Sequence, residues 1–241
     1  MMAKFSTYSS STMFTAKVKL FVWALIFVFA GCLAFYLFTP KSKLLKEPVE
    51  FSVSEGVWNK FRFKEIGLQQ GDTISDLLLI DPQDQSQIQL KEVLDPKKHT
   101  VLISGSYSCD VTTSQLHSID SMYHIYQHNY NFYLIHTLEA HPKTSQSPYA
   151  METSPWEAAR NIEGGIEAVQ PLTMGERLTL SKSWIKDRRI QTPVLVDNAK
   201  NEAWKQMGQG PNTAIILSPE GVVTHKEDWF DPNDLGNALA P

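Results

Sequence analysis

Cys109, Glu139 and His141 are the residues of this chain whose types and spacing could do chemistry together. Cys109 ends a strand-like run, Thr100-Val101-Leu102-Ile103, continued by Ser104-Gly105-Ser106-Tyr107-Ser108. The stretch from Asp110 to about Gln127 reads as a helix, because Leu116, Ile119, Tyr123 and Tyr126 recur at helical spacing and give it one apolar face. A thiol at a strand-to-helix junction meets the N–H groups of the first turn and the positive end of the helix dipole. Both favour thiolate over thiol. A second strand-like run, Phe132 to Thr137, delivers Glu139 and His141 about 30 residues later. If the two strands are neighbours, all three residues reach the carboxyl ends of the sheet, where ligands collect in open α/β folds. There His141 could give or take a proton near neutral pH. Glu139 could orient it or relay the proton. The plainer role for a single histidine is a surface or capping residue.

The chain has two cysteines, and the other, Cys32, lies inside an apolar run. With no second thiol beside Cys109, a disulfide-exchange cycle within the domain is excluded. Turnover would pass through a sulfenic acid or another one-cysteine adduct, resolved by an external thiol. Ser106 is a candidate hydroxyl donor to the sulfur, or a turn serine bonded to backbone. Ser108 is placed as the helix N-cap. Asp110 suits the helix dipole but opposes a neighbouring thiolate. His117, His124 and His128 show no ligand spacing with Cys109, so no metal and no cofactor are expected.

These residues need a scaffold, and the 241-residue chain is long enough for one. Its net charge of -4 gives no reason to expect nucleic acid as a partner. From Leu20 to Phe38 run 19 residues without a charge, between Lys17 and Lys19 on one side and Lys41 and Lys43 on the other. At about 1.5 Å per residue the run covers roughly 30 Å and predicts one transmembrane helix. The other reading, a cleaved signal peptide, meets no small-x-small cleavage site. The flanking lysines nearly balance, and a short N-terminal tail kept in the cytoplasm would place the rest outside it. The expected organisation is a tail (residues 1–19), a span (20–38), a juxtamembrane linker (39–70) and one domain (71–241).

Within the domain, Leu77 to Ile80, Pro193 to Val196 and Thr213 to Leu217 add strands to the two above. Ser218-Pro219-Glu220-Gly221 turns the last into a hairpin with Val222-Val223-Thr224, and Gln83 to Gln87 reads as another exposed turn. Ser154-Pro155-Trp156-Glu157 carries the N-cap signature of a helix that Gly164-Gly165 would end. Weaker helices run from about Gly175 to Lys186 and from Ala199 to Met207. Such a mixture predicts an α/β fold, a central mixed sheet flanked by helices.

The order βαβ, then a helix and a closing hairpin, resembles the thioredoxin arrangement. Gly71-Asp72 with Asp76 resembles the opening of peroxiredoxin-type proteins, and Ser106-Tyr107-Ser108-Cys109 resembles their T/S-x-x-C. Pro211 falls where such proteins carry a cis-proline facing the reactive cysteine; an ordinary trans proline entering a strand is the alternative. The closer resemblance is to the iodothyronine deiodinases, which join a membrane anchor to a thioredoxin-like domain. Ile103 to Cys109 is similar to their N-F-G-S-C-T-U, with Cys109 at the selenocysteine. Leu138-Glu139-Ala140-His141-Pro142 is similar to E-E-A-H-P, Ser147-Pro148-Tyr149 to S-P-Y, and Gln170 with Glu176-Arg177-Leu178 to Q-H-x-x-x-x-D-R-V. The departures are Tyr107 for a cysteine, Asp110-Val111 for Pro-Pro, His136 for tyrosine, Pro171 for histidine, and a longer spacer between Tyr149 and Gln170. The resemblance implies catalysis by Cys109 with Glu139, His141 and Ser106, and puts Tyr107, Pro211 and Arg177 on the substrate side. It implies a membrane-anchored one-cysteine oxidoreductase served by an external thiol or thioredoxin-like reductant, and it admits a homodimer. A fold that has lost its chemistry and binds instead is the alternative. A copper or haem chaperone is disfavoured by the missing second cysteine.

Overall fold

The computed structural model describes residues 18–19, 21–31, 40–51, 65–150 and 155–240. The chain divides into two units, Met1–Leu44 and Leu45–Pro241. In the first, residues 21–31 are helical with exposed side chains. No helix among the described residues is long and apolar enough to cross a membrane. Of the expected span, Leu20 and residues 32–38, Cys32 among them, lie outside the described residues. Helix α1 (Pro40–Lys46) straddles the sequence boundary between the units.

The second unit is built on a seven-stranded sheet: β1 (Leu78–Ile80), β2 (Gln87–Gln89), β3 (His99–Gly105), β4 (Tyr130–His136), β5 (Val194–Asp197), β6 (Ala214–Leu217) and β7 (Val223–Glu227). The order is β2-β1-β5-β4-β3-β6-β7. The strands β3, β4 and β5 are parallel to their neighbours in that trio, and the remaining pairs are antiparallel. Its helices are α2 (Leu90–Val93), α3 (Asp110–Tyr126), α4 (Ala159–Glu163), α5 (Met174–Arg188), α6 (Glu202–Gln206) and α7 (Pro232–Leu239).

The central strand shows why both faces are covered. Val101 and Ile103 of β3 pack with Leu116 and Ile119 of α3, Trp184 of α5 and Leu235 of α7. Leu102 between them packs on the other face with Leu90 and Val93 of α2 and Ala203 of α6. A strand apolar at successive positions belongs inside a sheet with helices on both sides. The β3-α3-β4 unit beside the β6-β7 hairpin and α7, ordered β4-β3-β6-β7, is the thioredoxin-like arrangement expected above; α4, α5, β5 and α6 are inserted between its halves.

Three local differences from the sequence reading have physical causes. The helix expected to start after Ser154 begins only at Ala159, because the Trp156 carbonyl is turned to accept from the His141 ring. Ser154 itself lies outside the described residues. Part of the expected linker is docked: Val49 N donates to Leu172 O, Met174 N to Glu47 O, and Pro48 bridges Thr173. Helix α7 was not anticipated, although Asp231 caps it through Asn233 N and Asp234 N and Pro232 opens it.

Gly105 ends β3 against α3 and α5. A Cβ there would stand 2.7 Å from Thr112 Cγ2 and 3.1 Å from the Trp184 ring. Gly105→Ala should therefore cost about 1–3 kcal/mol of stability, seen as a lower urea midpoint with an unchanged slope.

Candidate active site

The residue Cys109 is itself the N-cap of α3: its Sγ accepts from Thr112 N at 3.4 Å, and its own N–H donates to Ser106 O at 3.2 Å. The expected cap, Ser108, is used elsewhere; its Oγ accepts the backbone N–H of His141 at 3.0 Å. The sulfur is wholly buried. Burial pushes its thiol up to about 11, the Thr112 contacts pull against that, and the Asp110 charge adds to it. Desolvation thus outweighs the cap and the dipole, and the resting group is a thiol at neutral pH.

The segment leading to it, Ser106–Ser108, is held by Glu139. This buried carboxylate accepts from Ser108 N at 2.7 Å, from Tyr107 N at 3.4 Å, and lies 2.8 Å from His136 Nε2. The expectation that Glu139 orients His141 is corrected here, because its acceptor positions are taken by the cysteine loop and by His136. Main-chain bonds to Gln170 fix it further: Glu139 N donates to Oε1 at 3.1 Å and Nε2 donates to Glu139 O at 2.6 Å. Ser106 makes the backbone bond named above as its other role. Its buried Oγ accepts Ala140 N at 3.2 Å, which ties the cysteine loop to the segment carrying Glu139 and His141.

His141 is brought to the cysteine by another partner. Its Nε2 lies 3.3 Å from Asp110 Oδ1 and its Nδ1 lies 3.2 Å from Trp156 O. Both nitrogens face acceptors, and both bonds are satisfied together when each nitrogen carries a hydrogen. The Trp156 ring meets the imidazole edge-on at 4.4 Å between centroids.

Cys109 and His141 line one cavity of about 70 Å³, closed by Val111, Tyr149, Trp156, Pro211 and Trp229. The Tyr149 hydroxyl is engaged away from it, donating to Gln209 O at 3.0 Å and accepting from Trp204 Nε1 at 2.9 Å. Pro211 lines the cavity, and none of the described peptide bonds is cis. Its carbonyl accepts from Thr112 Oγ1 at 3.4 Å. Tyr107 and Arg177 are not on the cavity wall. Tyr107 donates to Asp187 Oδ2 at 2.8 Å, and burial together with that carboxylate pushes its phenol up to about 12. Arg177 is buried and spent on structure, donating to Asp197 O, Asn198 O and Asn201 Oδ1. Sequence reasoning missed Val111, Tyr149, Trp156 and Trp229; Tyr149 stood in the S-P-Y motif and Trp156 in the cap signature, so two of the four carried a signal. Larger clefts of about 630 and 500 Å³ lie elsewhere, and neither is lined by a cysteine or a histidine. Among the described residues, no group of three or more His, Cys, Asp and Glu could hold a metal ion.

No family model and no curated protein matches this chain. Solved structures do. A thiol:disulfide interchange protein from Bacteroides sp. is 13% identical, with a TM-score of 0.48 over 71% of this chain and 88% of that one. A putative thiol:disulfide interchange protein DsbE from Chlorobium tepidum is 12% identical, with a TM-score of 0.47 over 72% and 100%. The pneumococcal exposed lipoprotein thioredoxin from Streptococcus pneumoniae is 15% identical, with a TM-score of 0.45 over 68% and 98%. The fold assignment rests on strand order, and the site on its own geometry.

Removing the carboxylate strands buried donors from three residues. Glu139→Ala should therefore lower stability by about 3 kcal/mol in chemical denaturation. The buried thiol has a pH signature too. Between pH 9 and 11 an unfolded chain releases the Cys109 proton while the folded chain keeps it, so unfolding gains and stability falls as pH rises. The loss is of order 3 kcal/mol across that window. Denaturation of Cys109→Ala at the same pH values should show a flatter decline.

Proposed function

We propose that this protein is a thiol-dependent oxidoreductase in which Cys109 is the nucleophile and His141 carries the proton. The observation that supports this most directly is the shared cavity: a thiol at the start of a 17-residue helix and an imidazole with both nitrogens against acceptors line the same small space. In the first step the Cys109 sulfur, on losing its proton, bonds to an electrophilic atom of the substrate. The leaving group departs with the electron pair of the broken bond and takes a proton from His141, which the thiol proton restores. With a peroxide the sulfur becomes a sulfenic acid; with an aryl iodide it becomes a sulfenyl iodide. No other cysteine lies between Leu45 and Pro241, so two external thiols return the sulfur to its reduced form, one forming a mixed disulfide and the next releasing it.

Deiodinase-like and peroxiredoxin-like chemistry share these steps, and the motifs around Cys109 and Glu139-Ala140-His141-Pro142 support that range. We place the apolar run from Leu20 to Phe38 in a membrane as a single-pass anchor, with the domain on the extracytoplasmic side. One observation favours a second reading, a binding module without chemistry: the sulfur is buried and its thiol raised.

Two reactions of Cys109 separate these readings. Alkylation by iodoacetamide expels iodide and needs no proton donor, so its rate should climb about tenfold per pH unit from 7 to 10 and change little in His141→Ala. Peroxide reduction expels an oxyanion, so the same substitution should slow it by about 10²-fold or more. Sulfenic acid trapping followed by mass spectrometry measures the second rate. A folded protein that neither reduces peroxide nor releases iodide from an iodinated phenol would be the binding module.

A further inference from the structure

Resting on the thiol chemistry proposed above, we infer that the oxidant reduced by Cys109 is a neutral organic hydroperoxide with an apolar body. The peroxide group sits on the sulfur, and the alkyl or aryl body lies against Trp156 and Trp229.

Size is the first constraint. The sulfur is wholly buried and faces about 70 Å³ of space, so only a small terminal group reaches it. A protein disulfide needs its sulfur presented to the attacking atom by a second chain, and such a buried thiol offers no face for that. Polarity is the second. Val111, Pro211 and the rings of Tyr149, Trp156 and Trp229 form the wall, and the Tyr149 hydroxyl points into bonds with Gln209 and Trp204. Among the described residues no lysine or arginine lines the cavity, and the His141 ring already faces the Asp110 carboxylate, so a carboxylate or phosphate on the substrate would have to compete with Asp110. Exposure is the third. Trp184 and Trp204 are buried at 0% and 1%, whereas Trp156 and Trp229 are 39% and 45% exposed, and these two stand together at the cysteine. A pair of half-exposed indoles beside a small apolar cavity is a surface that an apolar ligand body covers.

The reaction balances without further components. The sulfur bonds to the terminal peroxide oxygen, the O–O bond breaks, and the alkoxide takes a proton from His141. The net change is Cys109–SH plus ROOH to Cys109–SOH plus ROH. The imidazole, held by Asp110 and Trp156 O, lines the same cavity as Cys109 and supplies the proton to the departing oxygen. Two equivalents of an external low-molecular-weight thiol then return the sulfur to the thiol: the first forms a mixed disulfide with loss of water, and the second releases Cys109 as the symmetrical disulfide forms.

The test compares cumene hydroperoxide with hydrogen peroxide on the full chain, following dimedone-trapped sulfenic acid at Cys109 by mass spectrometry. The expected second-order rate constant for cumene hydroperoxide is at least about tenfold higher, and Trp229→Ala should shrink that ratio to within about threefold. As a check independent of folding in the variant, millimolar 2-phenyl-2-propanol, the alcohol product, should protect Cys109 from iodoacetamide in the unmodified protein. Equal rates with the two peroxides, or no protection by the alcohol, would overturn the apolar substrate and leave the thiol chemistry standing. Failure of both peroxides to oxidise Cys109 would overturn this inference together with peroxide reduction itself.

Discussion

A fully buried carboxyl group, that of Glu139, organises this site. Glu139 takes the backbone N–H groups of Tyr107 and Ser108 from the loop after β3, and its partner His136 comes from the last residue of β4. Its own main chain is pinned at both polar atoms by Gln170. Arg177 of α5, itself buried, feels the charges of Asp197 and Glu139. One buried carboxyl group thereby couples the cysteine loop, a strand end, the segment before α5 and α5 itself. A buried polar group that lost any of these partners would be costly to keep, so the loop conformation that presents Cys109 is strongly determined. Ser106 and Ser108 reinforce the same seam by accepting from Ala140 N and His141 N. The two sheet-end segments are sewn together residue by residue, and the cysteine and histidine are placed as a consequence.

Much of the scaffold was legible because its signals are local. The continuous apolar run of β3 and the helical spacing of Leu116 and Ile119 each follow from burial on one known period. The strand β2 escaped notice because Gln-Ile-Gln at a sheet edge buries too little to leave an apolar pattern. The start of α4 was misread because a capping signature describes only what a segment can do alone; here the Trp156 carbonyl is claimed by a histidine 15 residues away.

The site was less legible than the scaffold, for a related reason. Glu139 and His141 are two residues apart, and their spacing suggested that they act on each other. Two residues apart along a strand they would share a face, but the strand ends at His136, and in the irregular segment beyond it Glu139 turns to the cysteine loop and His141 to Asp110. Arg177 matched a motif yet serves the β5–α6 junction, with Asn198 and Asn201 as its acceptors. Trp229 joins the wall from far along the chain, and no local pattern could have announced it.

Asp110 looked unfavourable in sequence because a carboxylate beside a thiol opposes the thiolate, and in the fold it does raise the thiol. The same carboxylate is what His141 Nε2 faces, with Trp156 O at the other nitrogen. A ring between two acceptors meets both of them when each nitrogen carries a hydrogen. On the chemistry proposed above the thiolate is the scarce species, because burial raises the thiol, and the imidazole on the same cavity carries the proton that a displaced group takes. Such a balance suits a substrate whose leaving group is a strong base, such as an alkoxide, more than one whose leaving group departs unaided. On the same proposal the raised thiol keeps the sulfur protonated at neutral pH, and the apolar wall disfavours charged oxidants at a cysteine with no thiol partner in its domain.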